Sequence, residues 1–183
     1  ARKLLIDRGA ADGTTASNMW TYWYGRNDLV EFKSVNTASV TDLNNTWNSC
    51  TSLTSFPFID TGSVTNFPST WSSCSSLTSF PALDMSSGAN FSSAWQSSGL
   101  TSFPSDIDLS NGTNFLATWN NTNISSFPLL NLNNGRDFAL AWRNNNLLTD
   151  WPSGFFANWN PSSISSGVFN NTWDGCSLTA QSV

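Results

Sequence analysis

Residues 64–83, VTNFPSTWSSCSSLTSFPAL, decide the reading, because most of the chain between Leu43 and Trp151 restates them. Each copy sets an apolar residue four before a Trp and a Leu or Ile five or six after it. An aromatic-Pro pair usually follows three residues further on. The anchoring tryptophans Trp47, Trp71, Trp95, Trp119 and Trp142 are spaced 24, 24, 24 and 23 residues apart. A fixed period of that length predicts a repeat architecture that buries its core coil by coil.

Working outward, the Trp23 copy is degenerate but keeps Met19 four before and Leu29 six after its Trp. The Trp173 copy keeps Phe169, Cys176 and Leu178 and breaks off at Val183. Residues 1–17 fit no repeat and read as an N-terminal cap or linker; residues 18–183 read as the repeat body, its last coil incomplete. Both ends suggest an excerpt from a longer chain. Between Trp142 and Trp173 the spacing widens to 31, and an insert at 153–167 carries the extra length.

Within a coil, the Asx-aromatic-x-x-x-Trp segment places two apolar residues at i and i+4. That is one face of a short helix, with the Asx as N-cap. The Leu-Thr-Ser-Phe segment is β-compatible, and the following Pro removes a ladder donor. The expected fold is therefore a solenoid, a leucine-rich-repeat superhelix of about seven 23–24-residue coils. It pairs short parallel strands with short helical or irregular segments. Strands ~4.8 Å apart against helices ~8–10 Å apart predict a curved body. Its core is expected at Phe67, Trp71, Leu77, Phe80, Phe91, Trp95, Leu100, Phe103, Phe115, Trp119, Ile124 and Phe127.

Those motifs resemble BspA-type leucine-rich repeats, in particular the branch found in Mycoplasma-type surface proteins. The resemblance is carried by Val64-Thr65-Asn66-Phe67, Thr70-Trp71, Cys74 and Ser76-Leu77-Thr78-Ser79-Phe80, and it spans Met19 to Val183. This chain departs by using Trp and Phe-Pro where the family has Phe and Leu-Asp. Its C-terminal copy, Asn171 to Val183, also resembles repeats of phage-encoded virion and tail-fibre proteins. The resemblance implies an extracellular or virion-surface protein that adheres or binds, and not an enzyme.

The residues limit function in the same direction. The chain has no His, which removes Ser-His-Asp and Cys-His nucleophilic sites, and no phosphate-binding Gly-rich loop. A net charge of −5 with only Arg136 and Arg143 beyond Val40 excludes a basic stripe for nucleic acid. No run reaches the ~18–20 apolar residues of a membrane span. No cofactor is expected. Asp60, Asp84 and Asp108 recur thirteen after their Trp and read as Asx turns, with Asp106 and Asp108 the weak calcium candidates. Cys50, Cys74 and Cys176 each stand three after a Trp, where other coils carry Ser98, Thr122 and Asn145, and so read as free buried thiols.

Two surfaces are candidate ligand sites: the hydroxyl ladder Thr54, Thr78, Thr101 and Ser125, continued by Thr149, and the insert aromatics Phe155, Phe156 and Trp159. The leading expectation is a non-enzymatic adhesion module for a cell-surface glycan or protein receptor. The alternative is a purely structural spacer or self-assembling fibre element. Exposed insert aromatics favour binding; aromatics folded over the last coil favour a cap.

Overall fold

The computed structural model describes residues 19–31, 35–159 and 167–179. The proposed cap at 1–17 lies outside them, as does most of the second half of the insert. Among the described residues there is no helix, no strand and no sheet, only turns and five isolated parallel bridges, such as Asp42 to Asn66 and Ser126 to Asp150. The expected leucine-rich-repeat solenoid of parallel strands and short helices is therefore overturned. What the repeats form is a stack of irregular tiers, one for each of Trp23, Trp47, Trp71, Trp95, Trp119, Trp142 and Trp173.

The backbone of the Trp segment explains why no helix forms. In the Trp47 tier, Thr46, Asn48 and Cys50 donate back three residues to the carbonyls of Leu43, Asn45 and Trp47. The alternate residues Leu43, Asn45, Trp47 and Ser49 donate to the carbonyls of Asn66, Pro68, Thr70 and Ser72 in the next tier. Each joint between consecutive tiers repeats these four bonds, at 2.7–3.1 Å, from Met19 to Asn144. A helix directs every N–H along its own axis; here every second N–H is turned out to the neighbour. That alternation requires left-handed residues, and they recur in each tier: Asn45 and Ser49, Ser69 and Ser73, Ser93 and Ser97, Ala117 and Asn121, Leu140 and Asn144, all between φ 53° and 63°. Such residues cost on the order of 1–3 kcal/mol each, and the four inter-tier bonds per joint offset them. Almost every backbone polar group of the segment is thereby paired.

The Asx residues keep a capping role without a helix to cap. The side chains of Asp42, Asn90, Asn114 and Asp137 accept the N–H two residues on, at 2.8, 3.0, 3.0 and 2.9 Å. Asn66 is the exception because Pro68 has no N–H to offer. Its amide instead donates to Thr65 Oγ1 at 3.3 Å.

The core is a set of ring columns. The indoles of Trp23, Trp47, Trp71, Trp95, Trp119, Trp142 and Trp173 stack nearly parallel, with centroid steps of 5.1–6.0 Å. A second column runs Phe67, Phe91, Phe115, Phe138 and Phe169 at 5.2–5.6 Å. A third, of Phe56, Phe80, Phe103, Phe127 and Trp151, sets its rings edge-on to the indoles; Phe103 lies 4.9 Å from Trp95 and 5.4 Å from Trp119. The columns share nearly one spacing, so the unequal strand and helix separations behind the expected curvature are absent. Leu53, Leu77, Leu100, Ile124 and Leu148 complete the interior. Every residue of the expected core is buried.

Two local features show how tightly the tiers approach. A Cβ on Gly99 would lie 2.3 Å from the Ser75 carbonyl oxygen, so the shortened Trp95 tier fits only without a side chain there. Among the described residues, the buried indole N–H groups of Trp71, Trp95, Trp119 and Trp142 find no oxygen acceptor.

Candidate functional site

The hydroxyl ladder follows from the side of each tier opposite the Trp segment. Leu53, Leu77, Leu100, Ile124 and Leu148 point into the core, which turns the next residues, Thr54, Thr78, Thr101, Ser125 and Thr149, outward; all five are exposed. Neighbouring tiers meet here through Thr54 N to Val30 O at 2.9 Å, Thr101 N to Thr78 O at 3.1 Å and Thr149 N to Ser125 O at 3.1 Å. Two of the hydroxyls also donate to carbonyls of the preceding tier: Thr54 to Val30 and Thr101 to Thr78, both at 3.2 Å. Beside them a second exposed row holds Ser55, Ser79, Ser102, Ser126 and Asp150. The result is a polar face with hydroxyl oxygens repeated from tier to tier.

The insert behaves differently. Phe155 is buried, in contact with Phe127, Trp142 and Trp151 at centroid distances of 5.9, 6.0 and 4.8 Å. Phe156 lies edge-on to Phe138, Phe169 and Trp173. Trp159 is half-buried against Phe169 at 4.8 Å, and its indole N–H donates to the Gly135 carbonyl at 3.0 Å. The three aromatics are folded onto the last two tiers. Trp20, at 60% exposure, is the most exposed of the tryptophans outside the repeat phase.

Asp60, Asp84, Asp108 and Asn131 each accept the N–H two residues on, from Gly62, Ser86, Ser110 and Asn133. Hydrogen bonds from Ser86, side chain and backbone, hold the Asp84 carboxyl below its ordinary value. Asp106 and Asp108 are both exposed, and no cluster of three or more candidate metal ligands occurs among the described residues.

The cysteines are free. Each thiol donates to the carbonyl of the Trp one tier back: Cys50 to Trp23 and Cys74 to Trp47 at 3.1 Å, Cys176 to Trp142 at 3.0 Å. Burial pushes the Cys50 thiol up to about 11, Cys74 further in the same direction, and Cys176 upward as well. These thiols are poor nucleophiles.

One column escaped the sequence reading. Thr46, Thr70, Thr118 and Thr172, one before each Trp, are buried and donate to the carbonyls of Met19, Leu43, Phe91 and Phe138 in the preceding tier. Their signal was the recurrent Thr-Trp pair, which only the inter-tier contact explains. No helix among the described residues is long and apolar enough to cross a membrane. No family model, curated protein or solved structure matches the chain.

Proposed function

We propose that this chain is a non-enzymatic structural element, a stiff repeat body within an extracellular or virion-surface protein. The observation that carries this reading is the insert. Phe155, Phe156 and Trp159 spend their ring contacts on Trp142, Phe138, Phe169 and Trp173 rather than on solvent-facing platforms. The mutual satisfaction of the tier backbones and the continuous ring columns support stiffness. The lack of any His supports a role without catalysis. The surface location rests on the resemblance of the Val64 to Phe80 motif to surface-protein repeats, and the acidic charge speaks against nucleic acid as a partner.

A second reading keeps adhesion to a glycan or protein receptor, favoured by the exposed row Thr54, Thr78, Thr101, Ser125 and Thr149. A glycan-array screen separates the two. The structural reading expects no specific signal. A saturable hit abolished in a folded Thr78→Ala, Thr101→Ala double variant would replace it with adhesion through the hydroxyl face.

A further inference from the structure

The Phe column imposes a glycine on the corner that precedes it. Gly88, Gly112 and Gly135 are buried three residues ahead of Phe91, Phe115 and Phe138. A Cβ at any of the three would lie 2.1–2.3 Å from the Cζ of that ring, so a larger residue would have to displace the packed Phe. The residue before each glycine is exposed and reaches back one tier. Ser87 Oγ donates to the Gly62 carbonyl at 2.7 Å, Asn111 Nδ2 to the Ser86 carbonyl at 2.7 Å, and Asn134 Nδ2 to the Ser110 carbonyl at 2.8 Å. Packing and inter-tier bonding together thus set Asn directly before Gly at two corners.

An Asn-Gly pair is prone to intramolecular deamidation, because glycine has no side chain to hinder its own nitrogen. That nitrogen attacks the Asn Cγ. The N–Cγ bond forms as the Cγ–Nδ2 bond breaks, and the Gly N–H proton leaves with the amide as ammonia. Water then opens the succinimide at either carbonyl, giving Asp or isoaspartate. In the fold both reacting groups are engaged. Gly112 N–H donates to the Leu109 carbonyl and Gly135 N–H to the Leu132 carbonyl, both at 2.9 Å, while each Asn amide is held by the preceding tier. The Trp159 indole N–H also holds the Gly135 carbonyl.

We propose that Asn111 and Asn134 are modification sites for this deamidation, closed while the tiers are joined and coupled in one direction. The coupling comes from the acceptors. Asn134 bonds the Ser110 carbonyl, and that peptide group contains the Asn111 nitrogen. Conversion of Asn134 replaces a donor with a carboxylate, which has only acceptors to set against that carbonyl, and so releases the Asn111 corner. Asn111 bonds the Ser86 carbonyl, at a corner that does not hold Asn134. Conversion at Asn134 therefore speeds conversion at Asn111, and the reverse does not occur. Ser87 fills the same place before Gly88 with no amide to lose. The inference goes beyond the structural reading and holds equally for a spacer or an adhesion module.

The test follows amide loss by peptide mapping and mass spectrometry in mildly alkaline buffer, in the folded chain and in the same chain unfolded by urea. Folding should slow conversion at Asn111 and Asn134 roughly tenfold or more, the factor that ~1.4 kcal/mol of local opening supplies. In the folded chain, Asn134→Ala should speed conversion at Asn111 severalfold, while Asn111→Ala leaves the Asn134 rate unchanged. Asn134→Ser should restore the slow rate at Asn111, since the Ser87 hydroxyl makes the equivalent bond two corners earlier. Equal rates in the folded and unfolded chains overturn the proposal. So does an unchanged Asn111 rate in Asn134→Ala. Equal acceleration by the two alanine variants also overturns it, because that is general loosening and not a directed coupling. A glycan hit on the hydroxyl face retires the structural reading but leaves these rates unchanged, so the two failures are distinguishable.

Discussion

Trp95 and Trp173 occupy the same place in the repeat, and each stacks on the indole one tier back, Trp71 at 5.4 Å and Trp142 at 5.9 Å. Trp95 is fully buried because the Trp119 tier covers its other face; Trp173 is half-exposed because no described tier lies above it. The comparison shows that burial in this molecule is a property of a joint between tiers and not of a residue. Stability is then close to a sum over joints, and the end tier holds one joint where an inner tier holds two.

The strongest way to break that view is to compare truncations. Trp95→Ala should cost about 3–5 kcal/mol, as for other fully buried aromatic residues, and Trp173→Ala about half as much. Equal losses in urea unfolding would refute the joint picture. Gly99→Ala tests a joint from its backbone side. The added Cβ meets the Ser75 carbonyl, and overpacking of this kind costs roughly 1–3 kcal/mol; Gly154→Ala, where nothing lies within 4 Å, should lose only what its φ of 75° demands. Ser93 sharpens the argument about backbone, since its φ is 55°. Ser93→Val should lose about 2 kcal/mol while Ser93→Gly stays near neutral, and a helical segment would reverse that order. For the end of the stack, Trp159→Ala should cost about 1–2 kcal/mol through its lost hydrogen bond and ring contacts. A silent substitution there would return the insert to the solvent.

The smallest effect is one of pH. The thiols of Cys50 and Cys74 stay protonated in the fold well above their ordinary range, because burial disfavours the thiolate. The unfolded chain releases those protons earlier, so stability is full below about pH 8.5, the ordinary thiol value. It falls as pH rises toward about 11, where Cys50 titrates in the fold. Melting temperatures measured from pH 8 to 11 should decline, and Cys50→Ser with Cys74→Ser should decline less. An unchanged slope would mean that the thiols are solvated.

Much of the core was legible in the sequence. Trp71, Trp95 and Trp119, with Phe67, Phe91 and Phe115 four before them, recur in one phase, and a phase shared by large apolar residues marks a common interior whatever backbone carries it. The Asx turns at Asp60, Asp84 and Asp108 were legible for a similar reason, since a short carboxylate can satisfy the N–H two residues on without distant partners. The i, i+4 spacing misled. It fits a helix, but it equally fits a segment whose left-handed residues recur every fourth position, as at Ser69 and Ser73. The small polar composition of those positions was the available clue, because Ser and Asn tolerate conformations that Leu or Val resist.

By itself, then, the sequence determined the period, the buried phase and the polar face, because each depends on side chains that repeat along the chain. Only the tertiary structure decided the backbone. Whether an N–H turns back to its own tier or out to the next depends on a carbonyl 22 or 23 residues away, 30 across the insert, and no local pattern encodes that choice. The same holds for the insert. Phe155 and Trp159 read alike as exposed or folded until the last two tiers supply the rings and the Gly135 carbonyl that hold them.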